Sequence, residues 1–304
     1  MNVQIINLTK KKSEPVKISI DINKTLKELK LQIKKELGIT LSLSRMGISY
    51  TVDELNTKDK FSMGEDSKVL LEYEKFSEKS VIYVKDIGPQ FSYRLTYVIE
   101  YLGPLVIFFL LYYRLYQKKN GDVTTTQKIC LFLSTFHYSK RIIESMFVHI
   151  FSRDTMPLFN LFKNCLYYWG FYGLFCGYML FNESYYERQT LKPLRYFFIA
   201  FFISAEIKNL KCHLILREIK VTSKGRKYIP NGEGFELVTC ANYWWEIMSW
   251  ISFTIFSFHW AFALFTLAGF YQMREWAVKK HKDLMKRFPD KYPGKRKIII
   301  PYIY

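Results

Sequence analysis

The chain of 304 residues predicts an all-α polytopic membrane bundle of about six transmembrane helices, preceded by a small α+β domain. Two observations carry this. Long apolar runs begin only near residue 90, and all six Trp lie beyond that point. Charge divides at the same place: residues 1–80 hold 15 Lys+Arg and 12 Asp+Glu, whereas residues 81–304 hold 30 and 15. The basic residues of the second part sit in short loops between apolar spans, as membrane topology asks, and not on a polar face or tail that would bind nucleic acid. The five cysteines, Cys130, Cys165, Cys176, Cys212 and Cys240, all fall in the apolar half without paired spacing. They read as reduced packing residues, and no metal site is expected. The opening MNVQIINLTKKK has no apolar core of a signal peptide, so the first domain is expected to stay cytosolic.

Within that first domain, Val3–Leu8 and Val16–Ile22 alternate apolar and polar side chains around a Lys- and Ser-rich turn, which predicts a hairpin. Thr25–Leu37 places Leu26, Leu29, Ile33 and Leu37 at helical spacing, and Gly38 stops the helix. Short strands around Met46–Val52 and Val69–Tyr73 complete the order strand, strand, helix, strand, strand. That order and spacing resemble ubiquitin and the beta-grasp fold. Residues 1–80 are therefore read as a ubiquitin-like domain, 81–93 as a linker containing Gly88 and Pro89, and 94–304 as the membrane domain.

Spans are expected at roughly 94–116, 127–150, 164–182, 194–215, 235–256 and 258–277, each near the ~20 residues that cross the hydrocarbon. An even number returns the basic tail Lys279–Lys297 to the cytosolic side with the N-terminus. Lys118, Lys119 and Lys128 fit less well, since they would then face the lumen.

Ionisable groups at membrane depth cost a few kcal/mol each and so need partners, water or a task. The second span carries His137, Lys140, Arg141, Glu144 and His149, of which His137, Arg141 and Glu144 share one helix face. They form either a self-neutralising ladder or the wall of a polar cavity. Glu100, in TYVIEYLGPLVIFF, has no basic neighbour three or four positions away and needs a partner from another helix. Glu206, Lys208, Asn209, Lys211, His213 and Arg217 follow in the fourth span, and Asn242, Tyr243 and Glu246 in the fifth. Four spans with polar groups point to an enclosed polar ligand. No GxGxxG, Walker loop, HExxH or GxSxG is present to hold one. The glycines of IPNGEGF are too few for a phosphate cradle, and Lys220, Lys224, Arg226 and Lys227 read either as cytosolic topology or as a site for nucleotide phosphates.

Several segments together are similar to one family: EYLGPL from Glu100, FHYSKRIIESMFVHIFSRDTMPL from Phe136, FKNCLYYWGF from Phe162, NLKCHLILRE from Asn209, IPNGEGFELVTCANYWWEIMSWISF from Ile229, QMREWAVKKHK from Gln272 and the tail IIIPYIY. Over nearly its whole length the chain resembles the very-long-chain trans-2-enoyl-CoA reductases of the steroid 5-alpha-reductase superfamily, a branch with a ubiquitin-like amino-terminal domain. The resemblance implies NADPH-dependent reduction of the 2,3 double bond of a trans-2-enoyl-CoA in the endoplasmic reticulum membrane, alongside other enzymes of the fatty-acid elongation cycle. It puts the family's essential tyrosine on Tyr243 and its essential glutamate on Glu100. Asn209, His213, Arg217, Asn242 and Glu246 match positions that line the cofactor in relatives; His137, Lys140, Arg141 and Glu144 keep the reading given above, as substrate or cavity residues. The chain departs from the pattern where Leu284 stands in place of a tyrosine that contacts the cofactor. Rival implications are a steroid or polyprenol 5-alpha-reductase, an isoprenylcysteine-type methyltransferase, and a non-catalytic scaffold of the elongation machinery.

Overall fold

The computed structural model describes residues 2–9, 14–51, 66–67, 69–72, 81–151, 153–187, 193–222 and 228–304. Contacts divide these into two units, one of Met1–Thr96 with Phe151–Phe162 and one of Tyr97–Ile150 with Lys163–Tyr304.

In the first unit, β1 (Asn2–Asn7) and β2 (Val16–Ser19) form the expected antiparallel hairpin, with Val3 opposite Ile18. Helix α1 (Leu26–Glu36) starts at Thr25, whose hydroxyl accepts from the Glu28 amide while the Glu28 carboxylate accepts from the Thr25 amide. This reciprocal cap satisfies two amides that a helix start leaves open. Leu26, Leu29 and Ile33 form its buried face, against Val3, Ile5, Ile48 and Val84 of the sheet. Strand β3 (Met46–Thr51) follows, and Val52 lies outside the described residues.

The fourth strand is not where the sequence pattern put it. Val69 makes only an isolated bridge to Thr25, and Leu70–Glu72 is a single 3₁₀ turn; Tyr73 lies outside the described residues. The strand that completes the sheet is β4 (Val81–Asp86), which runs parallel to β1 and antiparallel to β3 in the order β2-β1-β4-β3. The boundary at 80 and the linker over 81–93 are corrected accordingly. Ile82, Tyr83 and Val84 are buried in succession, whereas among the described residues of the Val69 run Leu70 is the buried core side chain. Within the same stretch β5 (Gln90–Ser92) pairs antiparallel with β6 (Thr155–Pro157).

The second unit is helical. Helix α2 (Tyr93–Lys118) enters it, and α3 (Thr125–Ile143) follows from a Thr124–Gln127 capping box and widens into a π turn at Glu144–Val148. Helix α4 (Leu158–Cys165) continues through the π segment Leu166–Cys176 into α5 (Gly177–Leu180). Then come α6 (Arg195–Thr222), α7 (Ala241–Ser257) and α8 (Trp260–Arg287). All six expected spans therefore contain helix. The fifth begins at Ala241 instead of residue 235, because the residues before it pair with the C-terminal segment and not with a helical turn: Val238 bridges Lys297, and the Thr239 amide donates to the Lys297 carbonyl. Among the described residues one helix, Tyr93–Lys118, is long and apolar enough to cross a membrane.

Aromatic side chains fill the core of this unit. Phe108 of α2 stacks on Tyr172 at 4.7 Å between centroids, and Tyr172, Trp250, Phe253, Phe262 and Phe265 meet one another edge-on or tilted. The C-terminal segment returns alongside the start of α7: Lys297 exchanges backbone hydrogen bonds with Leu237 and Thr239, both 2.8 Å. The Thr239 hydroxyl bonds both His281 Nδ1 and the Tyr292 hydroxyl, closing a small clasp.

Candidate functional site

Three helices present polar side chains to one another. On α3 the spacing of His137, Lys140, Arg141 and Glu144 follows the helical repeat, as does that of Glu206, Asn209 and His213 on α6 and of Asn242 and Glu246 on α7. His137 Nδ1 meets Glu206 Oε1 at 2.9 Å, and its Nε2 lies 3.5 Å from Glu246 Oε1. Lys140 Nζ reaches Glu206 Oε2 at 2.8 Å and Glu144 Oε1 at 3.5 Å, and donates to Asn209 Oδ1. Asn209 Nδ2 in turn donates to the Asn242 carbonyl at 2.8 Å and to Glu246 Oε2 at 3.2 Å.

Arg141 Nη1 pairs with Glu144 Oε2 at 2.7 Å, and Nη2 donates to the Tyr101 hydroxyl at 3.0 Å with the guanidinium over the Tyr101 ring. His213 Nδ1 closes on Glu144 Oε1 at 3.1 Å. Glu144, His149 and His213 bring three donor atoms within 4.8 Å of one another, but the Glu144 carboxylate is already shared by Arg141, His213 and Lys140. Its charge is balanced by the chain's own cations. Only Arg141–Glu144 and Lys140–Glu144 are pairs within one helix; the other ion pairs of the network cross between helices, so the arrangement is a wall shared by α3, α6 and α7 more than a self-contained ladder.

Glu100 finds its partner on another helix, as its isolation required: Asn164 Nδ2 donates to Glu100 Oε2 at 2.8 Å, and the carboxylate is 1% exposed. Tyr243 has different surroundings. It packs with Cys240, Ile247, Ala277, Met273 and Ile299, and its ring lies 6.2 Å from that of Trp276. Arg217 lies exposed one turn beyond His213. Lys208 and Lys211 pair with Glu233, at 3.4 and 3.0 Å, and hold its carboxyl below the usual range, the Lys211 hydrogen bond being the larger cause. In the loop before α7 the Gly232 and Gly234 amides donate to the Glu236 carboxylate, so the chain's own side chain takes those donors. Leu284, where the resemblance expects a tyrosine, is buried in α8. Of the basic loop only Lys220 lies in the described residues; its ammonium donates to the Ile150 carbonyl.

Two residues of this region were missed at the level of sequence. Tyr101 is buried beside Glu100 and receives Arg141. Tyr138 is fully buried among His137, Tyr101, Tyr168, Tyr172 and Trp250, and its hydroxyl has no hydrogen-bond partner among the described residues. Its position between His137 and Lys140 in FHYSKR was the available signal. Asn242 Oδ1 is likewise buried without a partner among the described residues.

Comparison with known proteins assigns the class. Residues 154–304 match the family model described as 3-oxo-5-alpha-steroid 4-dehydrogenase. The very-long-chain enoyl-CoA reductase of Dictyostelium discoideum is 35% identical over 308 residues, which is 100% of this chain and 99% of that protein. A Schizosaccharomyces pombe protein named as an enoyl reductase is 41% identical over 226 residues, 73% of this chain and 76% of its own. A Caenorhabditis elegans protein named as a very-long-chain enoyl-CoA reductase is 39% identical over 239 residues, 75% and 77% of the two chains. The chain belongs to the very-long-chain enoyl-CoA reductase family of oxidoreductases, within the 5-alpha-reductase superfamily.

Proposed function

We propose that this protein uses NADPH to reduce a trans-2-enoyl-CoA to the saturated acyl-CoA, the last step of the very-long-chain fatty-acid elongation cycle. It acts as a multi-pass protein of the endoplasmic reticulum membrane with both termini cytosolic. The support is the wall of His137, Lys140, Arg141, Glu144, Glu206 and Glu246, buried or half-buried, which is more ionisable side chains than a helical core retains without a polar guest. We read the first unit as a ubiquitin-like beta-grasp domain, on its order β2-β1-β4-β3 with a parallel central pair and one helix over the sheet. To this domain we assign the contact with other enzymes of the elongation cycle.

A nicotinamide cofactor fits the donor set. Asn242 Oδ1, without a partner among the described residues, is an open acceptor beside Asn209 and Glu246, and those three residues with His213 would hold it, while Arg217 supplies a cation for a 2′-phosphate. When bound, NADPH supplies the hydride for C3 of the acyl chain. The remaining tasks fall to the protein: a hydroxyl must polarise the thioester carbonyl and a proton must reach C2. Tyr243 is assigned the hydroxyl and Glu100 the carboxyl that orients it or the substrate. A second reading gives the hydroxyl to Tyr138, favoured by its burial, by an O–H without a partner among the described residues, and by its position next to the Tyr101 ring and His137.

Purified protein in detergent, incubated with trans-2-enoyl-CoA and either NADPH or NADH, tests the proposal through the absorbance of the reduced nicotinamide. Consumption dependent on enoyl-CoA and faster with NADPH is expected. Turnover of a steroid enone in place of the thioester would move the chain to the 5-alpha-reductase side, and no consumption with either cofactor would remove the enzymatic reading.

A further inference from the structure

Helix α2 carries Glu100 directly before a built-in defect. Pro104 has no amide hydrogen, so the Glu100 carbonyl four residues earlier receives no helical bond from it. A helix loosened at that point does not by itself hold the Glu100 side chain in one direction.

Two side chains from the chain segment after α2 and α3 act at this defect. Asn164 Nδ2 donates to Glu100 Oε2 at 2.8 Å, and Trp169 Nε1 donates to the Ile99 carbonyl at 3.0 Å. The indole lies over Gly103, where a Cβ would stand 2.0 Å from Nε1, so only glycine admits it. Neighbouring residues of α2 are thus gripped by residues five apart. In an α-helix, five residues turn about 140° past a full circle and would send the two side chains in different directions. Between Asn164 and Trp169, however, the helix passes into the π segment Leu166–Cys176, whose i to i+5 bonding stacks residues five apart. The wide turn is what lets one helix hold both the backbone and the side chain at Glu100.

We infer that Asn164 and Trp169 are positioning residues for the Glu100 carboxyl, Asn164 through the side chain and Trp169 through the backbone beneath it. This role presupposes the reading of Glu100 given above. Because the Asn164 amide donates to Oε2, that oxygen takes the carbonyl role and Oε1 is favoured for a proton on the carboxyl, which also has a side-chain hydrogen bond with Tyr101. Asn164 therefore selects the oxygen that presents the proton, and Trp169 sets the height of the residue on the helix.

Kinetics of the full chain in detergent test this. Asn164→Leu is expected to lower kcat by about tenfold or more, with KM for enoyl-CoA changed by less than about threefold, and to displace the kcat pH profile. Asn164→Gln keeps the donor and recovers part of the loss. Trp169→Phe removes the N–H while keeping an aromatic ring, is expected to cost about threefold in kcat, and decides the matter should Asn164→Leu fail to elute as a folded species. Glu100→Gln separates the two levels. If it retains wild-type turnover, the reading of Glu100 fails and this inference with it. If it is impaired while Asn164→Leu and Trp169→Phe keep the wild-type kcat and pH profile, Glu100 stands and the positioning role is overturned. In the Glu100→Gln background Asn164→Leu adds no further loss if it acts through the carboxyl; independent, multiplying losses also overturn it.

Discussion

His137 is bracketed by two carboxylates, with Nδ1 2.9 Å from Glu206 Oε1 and Nε2 3.5 Å from Glu246 Oε1, so one imidazole of α3 ties α6 to α7. Glu206 is wholly buried and also receives Lys140, which makes it the common counter-ion of two buried basic groups.

Removing that counter-ion leaves Lys140 with only Glu144 as a carboxylate partner and His137 with only Glu246, both at 3.5 Å, so the cost falls toward the lower end of the about 3–5 kcal/mol of a buried pair broken from one side. Glu206→Gln keeps the shape and should lower the unfolding midpoint of the detergent-solubilised protein accordingly. Replacing His137 and Glu206 together by apolar residues should cost less than the sum of the two single changes. Equal midpoints for wild type and Glu206→Gln would show that the ion pair carries no stability.

The two tyrosines make opposite predictions for one measurement. Tyr→Phe at either position keeps the ring and removes only the O–H. If Tyr243 polarises the carbonyl, Tyr243→Phe should lower kcat by about 10² to 10⁴ and leave NADPH binding largely intact, with Tyr138→Phe near wild type. The reverse pattern assigns the task to Tyr138, whose buried hydroxyl then has the substrate as its partner. Turnover unchanged in both would remove tyrosine from the chemistry.

Strand β4 sets where the N-terminal unit can be cut. A fragment of residues 1–80 lacks the strand that joins β1 to β3 and is expected to give an unfolded circular dichroism spectrum, while residues 1–92 should give a folded α+β spectrum. A folded 1–80 fragment would show that the Val81–Asp86 pairing is dispensable.

The clasp of Thr239, His281 and Tyr292 predicts a pH dependence. Burial, and after it the Arg296 guanidinium, push the His281 imidazole below its ordinary value. The unfolded chain then binds the proton more readily, so this contribution is complete above the ordinary histidine pKa of about 6.5 and is lost as pH falls through it. The unfolding midpoint should drop between about pH 7.5 and about pH 5.5, and His281→Gln should flatten part of that slope. An identical slope in the variant would place the titration elsewhere.

Local periodicity was enough for much of this molecule. Thr25 and Glu28 cap α1 as their spacing indicates, the β1–β2 hairpin follows the alternation of Val3 to Leu8 and Val16 to Ile22, and every expected span holds helix, because these features depend on neighbours within a few residues. The polar positions His137, Lys140, Arg141, Glu144, Glu206, Asn209 and Glu246 were legible for the same reason: charge inside an apolar run stands out wherever it sits. What only the tertiary structure decided depends on contacts between residues far apart in sequence. The Val69 and Val81 runs are both plausible strands locally, and β4 takes the sheet because it can pair with β1 and β3 at once. That Glu100 is held by Asn164, that His137 lies between Glu206 and Glu246, and that Tyr138 is buried while Tyr243 faces α8 are matters of which helix faces meet. Periodicity tells a residue which stripe of its own helix it occupies, but not which neighbour covers that stripe.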